Sequence, residues 1–190
     1  MVTKLIVQKA QEISFSESSA VRSTAVDAEM AFIKDEEDVM KILEYLVHAM
    51  WKRAGECSEE LEVLKKIVTV PKLPFIRVRY ADAVNKIQER KSPIQWGMDL
   101  STEDERLLGD IMKEDGIDFY FITKYPLESK PFYTMPDGKK YSRGFDLECK
   151  GVEISSGSQR IHNVALLKER LKTCGLDPKD FDAYLKAFRY

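Results

Sequence analysis

Four strand candidates lie close together between residues 118 and 161, and their spacing constrains the fold more than any other feature of the chain. Apolar and polar residues alternate there with a period of two, which is typical of β-strands. The stretches are Asp118 to Thr123, Lys130 to Met135, Ser142 to Cys149 and Val152 to Ile161. Pro136-Asp137-Gly138 and Lys150-Gly151 form short turns between strands. Such links favour antiparallel pairing, because a parallel neighbour needs a crossover of about a dozen residues or more.

Helical periodicity appears on both sides of these strands. Asp35 can cap a helix to about Glu56, and Ser101 begins a capping box for a helix that stops near Gly116. Asn163 can cap a further helix, and Asp177-Pro178 opens the last one. Residues 75–80 alternate like a short strand with a helix behind it, and residues 57–70 continue a helical period. The pattern predicts an α+β fold in which an antiparallel sheet is flanked by helices.

Composition limits the class of protein. The chain has 190 residues, 44% hydrophobic and 33% charged, which suits one domain with one sizeable core. Its net charge of -2 gives no global sign of nucleic-acid binding, so any tRNA contact must come from local patches. Cys57, Cys149 and Cys174 are scattered, which argues against a disulfide framework and a structural zinc site. No stretch has the length of a membrane span or the core of a signal peptide, and we expect a cytoplasmic protein.

The last strand candidate carries unusual chemistry for a strand. The eight residues 153–160 include Glu153, Ser155, Ser156 and Arg160. The apolar residues Ile154 and Ile161 lie among and after them. Unpaired polar groups inside a sheet cost about 1 to 3 kcal/mol each, so they are rarely concentrated there. One interpretation is an exposed edge strand that ends in a Ser/Gly loop. The other is a binding site.

A resemblance favours the binding site. The segment Glu-Ile-Ser-Ser-Gly-Ser-Gln-Arg-Ile-His, residues 153–162, resembles a signature of class II aspartyl-tRNA synthetases of the archaeal and eukaryotic type, with Ser158 where alanine is usual. Further matches are Lys130-Pro131-Phe132-Tyr133-Thr134-Met135-Pro136, the strand at residues 118–126, Phe145-Asp146, and Val26 to Ile33, which is similar to the end of motif 2. The resemblance covers roughly residues 26 to 190. It implies the α+β core of a class II aminoacyl-tRNA synthetase.

The resemblance also implies roles for particular residues. Glu153 would bind Mg²⁺-ATP, and Ser156 would give an oxygen to the metal or to aspartate. Arg160 matches the family's aspartate-binding arginine, and its planar fork of donors suits a carboxylate better than the amide of asparagine. Arg22 and Glu17 would stand in for the ATP-binding arginine and glutamate of motif 2, in a segment several residues too short. The partners implied are aspartate, tRNA and, in the family, a second copy of the chain.

Simpler roles remain open for two of these positions. Arg160 could be a surface arginine that pairs with Glu148 across the hairpin. Asp146 could be a polar position on the solvent face of its strand, although the resemblance implies that it points toward the site.

The proposed ligands carry a geometric condition. In an unbroken strand Ser156 and Arg160 share one face while Glu153 lies on the other. A bulge or twist near Ser155 or Gly157 is needed to bring the three groups together. Without it, the role of Glu153 fails.

Several parts of the family pattern are missing from residues 1–190. Motif 1, the substrate-binding Gln-Ser-Pro-Gln loop, motif 3 and the anticodon-binding domain have no counterpart. We therefore expect a partial catalytic domain with little activity by itself. Three hypotheses follow: part of an aspartate-tRNA ligase, a truncated and inactive paralogue acting as an interaction module, or an enzyme of the same class with another substrate, similar to asparaginyl-tRNA synthetases or synthetase-like asparagine synthetases. Ser156 speaks against the last, since the asparaginyl branch resembles Gly-Gly at Ser156-Gly157.

Overall fold

The computed structural model describes residues 6–10, 13–16, 19–22 and 25–188, with side chains described from residue 26 onward. Two separate hairpin-like pairs occupy the beginning. Strand β1 (Ile6–Ala10) pairs antiparallel with β4 (Ala25–Glu29), and β2 (Ile13–Ser16) pairs antiparallel with β3 (Ser19–Arg22).

A four-stranded sheet forms the centre of the fold. Its strands are β5 (Ile76–Arg79), β6 (Phe119–Thr123), β9 (Gly144–Cys149) and β10 (Glu153–Ser158), in the order β10-β9-β6-β5. A small separate hairpin joins β7 (Pro136–Asp137) to β8 (Tyr141–Ser142) through residues 138–140, so two residues of the predicted turn belong to a strand. All five residues of β6 are buried, as expected for a central strand.

Six α-helices lie among the described residues. They are α1 (Glu36–Gly55), α2 (Ser58–Val63), α3 (Tyr80–Glu89), α4 (Thr102–Glu114), α5 (Val164–Thr173) and α6 (Asp182–Lys186). The predicted caps are present: Asp35 accepts from the Glu37 N–H, Ser101 and Asp104 form the capping box, and Asn163 accepts from the Leu166 N–H. None of these helices is long and apolar enough to cross a membrane.

The two faces of the sheet pack against different helices. On one face, Tyr120 and Ile122 of β6 pack with α3 and α4 through Val84, Ile87 and Leu108. On the other face lie Phe119, Phe121, Phe145 and Leu147, which pack with Met40 and Val47 of α1. A third cluster joins Ile161 to α5 and α6. The α+β class is confirmed.

Three details differ from the sequence prediction. The sheet is mixed, because β5 runs parallel to β6 and α3 and α4 supply the long crossover that this pairing requires. Lys130 to Met135 is a turn and loop with one isolated bridge, Thr134 to Arg160, and not a strand. The helix predicted over residues 57–70 ends at Val63, and its apolar side chains Val63, Leu64 and Ile67 are exposed.

Candidate functional site

The bulge that the sequence analysis requires is present between Glu153 and Ser155, and it brings two of the three groups together. Glu153 registers with Glu148 of β9, yet Ser155 registers with the next residue, Leu147, so Ile154 is an extra residue. This bulge reverses the alternation of side chains along β10. Ser156 consequently registers with Asp146, on the same face as Glu153 and Glu148.

Glu153 and Ser156 lie close together on this face. Hydrogen bonding from the Ser156 hydroxyl lowers the pKa of the Glu153 carboxyl. The pKa of Glu153, which is exposed at the edge of the sheet, is nevertheless raised, first by desolvation of its carboxylate and then by the negative charge of Asp146. A carboxylate and a hydroxyl are thus presented together on one face of the sheet.

Glu153 belongs to a group of four neighbouring carboxylates. We call Glu105, Asp146, Glu148 and Glu153 the acidic cluster. Glu105 comes from α4, the others from the sheet. Burial raises the pKa of Glu105, and the charges of Glu153 and Asp146 raise it further. Because the charges repel one another, the cluster favours bound protons or cations.

Glu148 is the most deeply buried member of the cluster. Only 1% of the residue is exposed, and its Oε2 atom has no hydrogen-bond partner. Burial raises the pKa of Glu148 to about 8, with contributions from the charges of Glu105, Glu153 and Asp146. Tyr120, which registers with Glu148 from β6, also has a buried hydroxyl without a partner, and burial raises the pKa of its phenol.

Asp146 is held from two sides. It is 6% exposed, so its interpretation as a solvent-face residue is wrong. Lys130 Nζ lies 3.1 Å from Asp146 Oδ2 and 3.7 Å from the centroid of the Tyr125 ring. Burial raises the pKa of the Tyr125 phenol, and so do the charge of Asp146 and a hydrogen bond to it.

Arg160 lies beyond the end of β10 in different surroundings. The side chain is exposed, and its guanidinium carbon stands 4.0 Å from the centroid of the Tyr133 ring. Its charge also lowers the pKa of Tyr184 of α6, which burial raises overall. The alternative pairing with Glu148 is wrong, because Glu148 registers with Glu153. The structure therefore joins Glu153 to Ser156, while the described contacts of Arg160 are with aromatic residues.

The neighbouring residue Gln159 anchors this end of the strand. It is 7% exposed, and its Oε1 accepts from Arg143 NH1 at 2.6 Å. Arg143 also donates to the Lys34 carbonyl at 3.3 Å. The backbone before Arg160 is thereby fixed to the segment that precedes α1.

The two remaining predicted residues belong to the beginning of the chain. Arg22 is the last residue of β3 and registers with Ile13, and its side chain is not described. Glu17 lies outside the described residues.

The donor set suits one type of metal. Among residues with described side chains, no group of three or more His, Cys, Asp or Glu is arranged to hold a metal ion. Mg²⁺ usually takes only one or two carboxylates and completes its shell with water and substrate phosphates. Glu153 and Ser156 offer oxygen atoms of this type and fit Mg²⁺ with a nucleotide. They do not form a closed protein site.

A cleft of about 300 Å³ lies elsewhere, where β5 and β6 end beside the start of α1. Charged side chains line it, and most of them pair with one another. Lys124 Nζ lies 3.0 Å from Glu36 and 2.8 Å from Asp137. We interpret this network as structural, because its charges compensate each other.

Several residues of the site were not predicted from the sequence. Glu105 lies on a helix whose packing partner the sequence did not reveal. The alternation of Asp146 and Glu148 with Phe145 and Leu147 was a usable signal, since it places both acids on one face.

The fold is that of a class II aminoacyl-tRNA synthetase catalytic core. A family model described as tRNA synthetases class II (D, K and N) matches residues 19–190, and the chain belongs to this family. The chain is 47% identical over 170 residues to the aspartate–tRNA(Asp) ligase of Pyrococcus furiosus, covering 87% of this chain and 39% of that one. It is 42% identical over 167 residues to the aspartate–tRNA(Asp/Asn) ligase of Methanopyrus kandleri, covering 87% and 38%.

Solved structures agree. The aspartyl-tRNA synthetase of Entamoeba histolytica has a TM-score of 0.84 and 28% identity, over 98% of this chain and 41% of that one. The asparaginyl-tRNA synthetase of Pyrococcus horikoshii has a TM-score of 0.80 and 28% identity, over 98% and 44%. The chain thus spans about two fifths of the length of these proteins.

Proposed function

We propose that the chain is part of the catalytic domain of an aspartate-tRNA ligase, which activates aspartate with ATP and transfers it to tRNA. The observation that carries the proposal is the contact between the Glu153 carboxylate and the Ser156 hydroxyl, made possible by the bulge at Ile154. The names of relatives with more than 40% identity support the choice of amino acid.

Glu153 and Ser156 form the nucleotide side of the proposed site. Bound Mg²⁺ would neutralise phosphate charge while the carboxyl group of the amino acid approaches. Glu153 supplies a carboxylate oxygen and Ser156 supplies a hydroxyl oxygen. Asp146 lies behind them and forms an ion pair with Lys130. Arg22 and Glu17 remain proposed as further ATP-binding residues from the beginning of the chain.

Arg160 forms the aspartate side. Its guanidinium presents several donors in one plane, which matches the two oxygens of a side-chain carboxylate. Stacking on Tyr133 leaves the edge of the guanidinium available for this contact. Asparagine would place an amide donor against these donors and would bind less well.

The proposal extends to the surroundings of the enzyme. Residues 1–190 form one part of a catalytic domain. We infer that the parent protein acts in the cytoplasm with aspartate, ATP and tRNA as substrates, and works as a homodimer like its family.

Isothermal titration calorimetry on the 190-residue chain tests both sides of the site. Glu153→Gln should weaken Mg²⁺-ATP binding about tenfold or more, because a metal oxygen loses its charge. Arg160→Leu should abolish aspartate binding. Glu114→Gln and Arg90→Leu are matched controls, since these two residues form an exposed pair with each other. Affinities unchanged by Glu153→Gln and Arg160→Leu would refute the proposal.

A further inference from the structure

Lys130 occupies a position that the proposed function does not yet use. Its side chain is 19% exposed, and its ammonium group lies between the Asp146 carboxylate, at 3.1 Å, and the face of Tyr125, at 3.7 Å. Its aliphatic stem passes over Gly144, where a Cβ atom would lie 3.5 Å from Lys130 Cε. The end of the Lys130 side chain thus lies between β9 and Tyr125.

Lys130 also faces the acidic cluster. The charges of the carboxylates raise one another's pKa, whereas the charge of Lys130 lowers the pKa of Glu153. Asp146 registers directly with Ser156, so a change in the orientation of Asp146 reaches the hydroxyl beside it. Lys130 therefore acts on Ser156 through Asp146 and on Glu153 through its charge. It forms no described hydrogen bond with either residue.

We propose that Lys130 is a positioning residue: together with Tyr125 it fixes Asp146 beside Ser156 and so sets the arrangement of oxygens offered to a divalent cation and nucleotide phosphates. This inference rests on the function proposed above. Groups behind metal ligands commonly change metal affinity 10- to 100-fold when they are removed.

Charge and geometry make opposite predictions for the loss of this lysine. Lys130→Met leaves the acidic cluster with one more uncompensated negative charge, so charge alone predicts tighter binding of a divalent cation. Positioning predicts weaker binding, because Asp146 loses the partner that orients it. The direction of the change distinguishes a positioning role from a merely electrostatic one.

Mn²⁺ is a suitable probe, because electron paramagnetic resonance measures free Mn²⁺ directly. Titrations of the 190-residue chain with Mn²⁺, with and without ATP, would compare wild type with Lys130→Met and Lys130→Arg. We expect Lys130→Met to weaken binding about tenfold and Lys130→Arg, which keeps the cation, to restore most of the affinity. Lys150→Met is the matched control, because Lys150 pairs with Asp118 at 3.4 Å at an exposed position.

A second variant keeps the inference testable if Lys130→Met does not fold. Tyr125→Phe keeps the ring under the ammonium group but removes the hydroxyl beside Asp146, and we expect a smaller loss of Mn²⁺ affinity in a chain with unchanged far-ultraviolet circular dichroism and thermal midpoint. Unchanged or tighter Mn²⁺ binding in Lys130→Met would overturn the inference.

Glu153→Gln separates the two hypotheses. If Glu153→Gln weakens Mn²⁺ binding and Lys130→Met does not, only the positioning role fails. If wild type binds no Mn²⁺, or binds it equally well after Glu153→Gln, the proposed function and this inference both fail.

Discussion

Glu148 places an ionisable group where its charged form is strongly disfavoured. The residue is almost fully buried and its Oε2 atom has no partner. Burial, with smaller contributions from the charges of three other carboxylates, raises its pKa to about 8. At neutral pH the folded protein therefore binds a proton at Glu148 that the unfolded chain has released. A pH-dependent contribution to stability follows.

Glu148→Gln should reduce this dependence on pH. In wild type the folded state holds the extra proton between the ordinary glutamate pKa of 4.5 and about 8, so the free energy of unfolding falls as pH rises through that window. Above about pH 8 the contribution becomes constant. Urea unfolding at pH 5, 7 and 9 should show a loss of roughly a few kcal/mol in wild type and a smaller one in the variant. Equal slopes would contradict the burial of this charge, and Glu114→Gln is the exposed control.

At the same scale, prediction from sequence reached the polar residues of β10 but not their neighbours. The contact of Glu153 with Ser156 depended on a bulge, which is confirmed close to the expected place. Glu105 and Lys130 could not be assigned, because their proximity arises from helix packing and from a loop that the sequence pattern predicted as a strand. The functional roles of Glu153, Ser156 and Arg160 stay predictions.

At the scale of secondary-structure elements, α1 is attached to the edge strand β5 by a buried glutamate. Glu44 is 3% exposed and accepts from the Phe75 N–H at 2.7 Å and from Arg77 NH1 and NH2 at 3.0 Å each. Arg77 also pairs with Glu37, which lies about two turns before Glu44 in α1. The edge strand is thus held by side chains as well as by its parallel neighbour.

Glu44→Ala should cost about 3–5 kcal/mol of stability, because it leaves a buried backbone N–H and part of the partly buried Arg77 guanidinium without partners. Glu37→Ala removes a carboxylate that is 42% exposed from the same arginine and should cost less than about 1 kcal/mol. Chemical denaturation of the two variants measures the difference. Similar losses would mean that Glu44 acts as an ordinary surface partner.

Gly157 allows β10 to lie close to the core of the sheet. A Cβ atom at this position would lie 2.5 Å from Cζ of Phe145, a ring that is 1% exposed and packs edge-on against Phe121. The Phe145 ring has little room to move.

Gly157→Ala should therefore destabilise the protein by about 1–3 kcal/mol through overpacking. The thermal midpoint should fall accordingly. Gly157→Ala should lower the thermal midpoint less in a Phe145→Leu background than in wild type, since the smaller side chain leaves space for the added methyl group. An equal loss in the two backgrounds would exclude the clash as the cause.

At the scale of the whole molecule, the described residues divide into well-buried and poorly buried parts. Strand β6 is buried along its whole length between two helical layers, whereas α2 contains no buried residue. Sequence periodicity predicted the helices and strands of the first part well, because burial creates the periodicity. It failed for residues 57–70, where Val63, Leu64 and Ile67 have apolar side chains without a described core beneath them.

Amide hydrogen exchange should follow this division. We expect the amides of Phe119 to Thr123 to exchange only by global unfolding, and those of α2 to exchange several orders of magnitude faster through local opening. Mass spectrometry of peptides covering the two segments would measure the contrast. Comparable protection would show that α2 is stabilised by contacts outside the described core.

The extra residue at Ile154 also determines how this hairpin can change during evolution. Glu153 and Ser156 are an odd number of positions apart, so strict alternation would send them to opposite sides of the sheet. Deletion of Ile154 would leave the two residues two positions apart, so that regular pairing without a bulge would keep the acid and the hydroxyl on one face. Insertions and deletions between Glu153 and Ser156 are thus constrained by parity: an odd separation needs a bulge to keep the pair together, and an even separation does not.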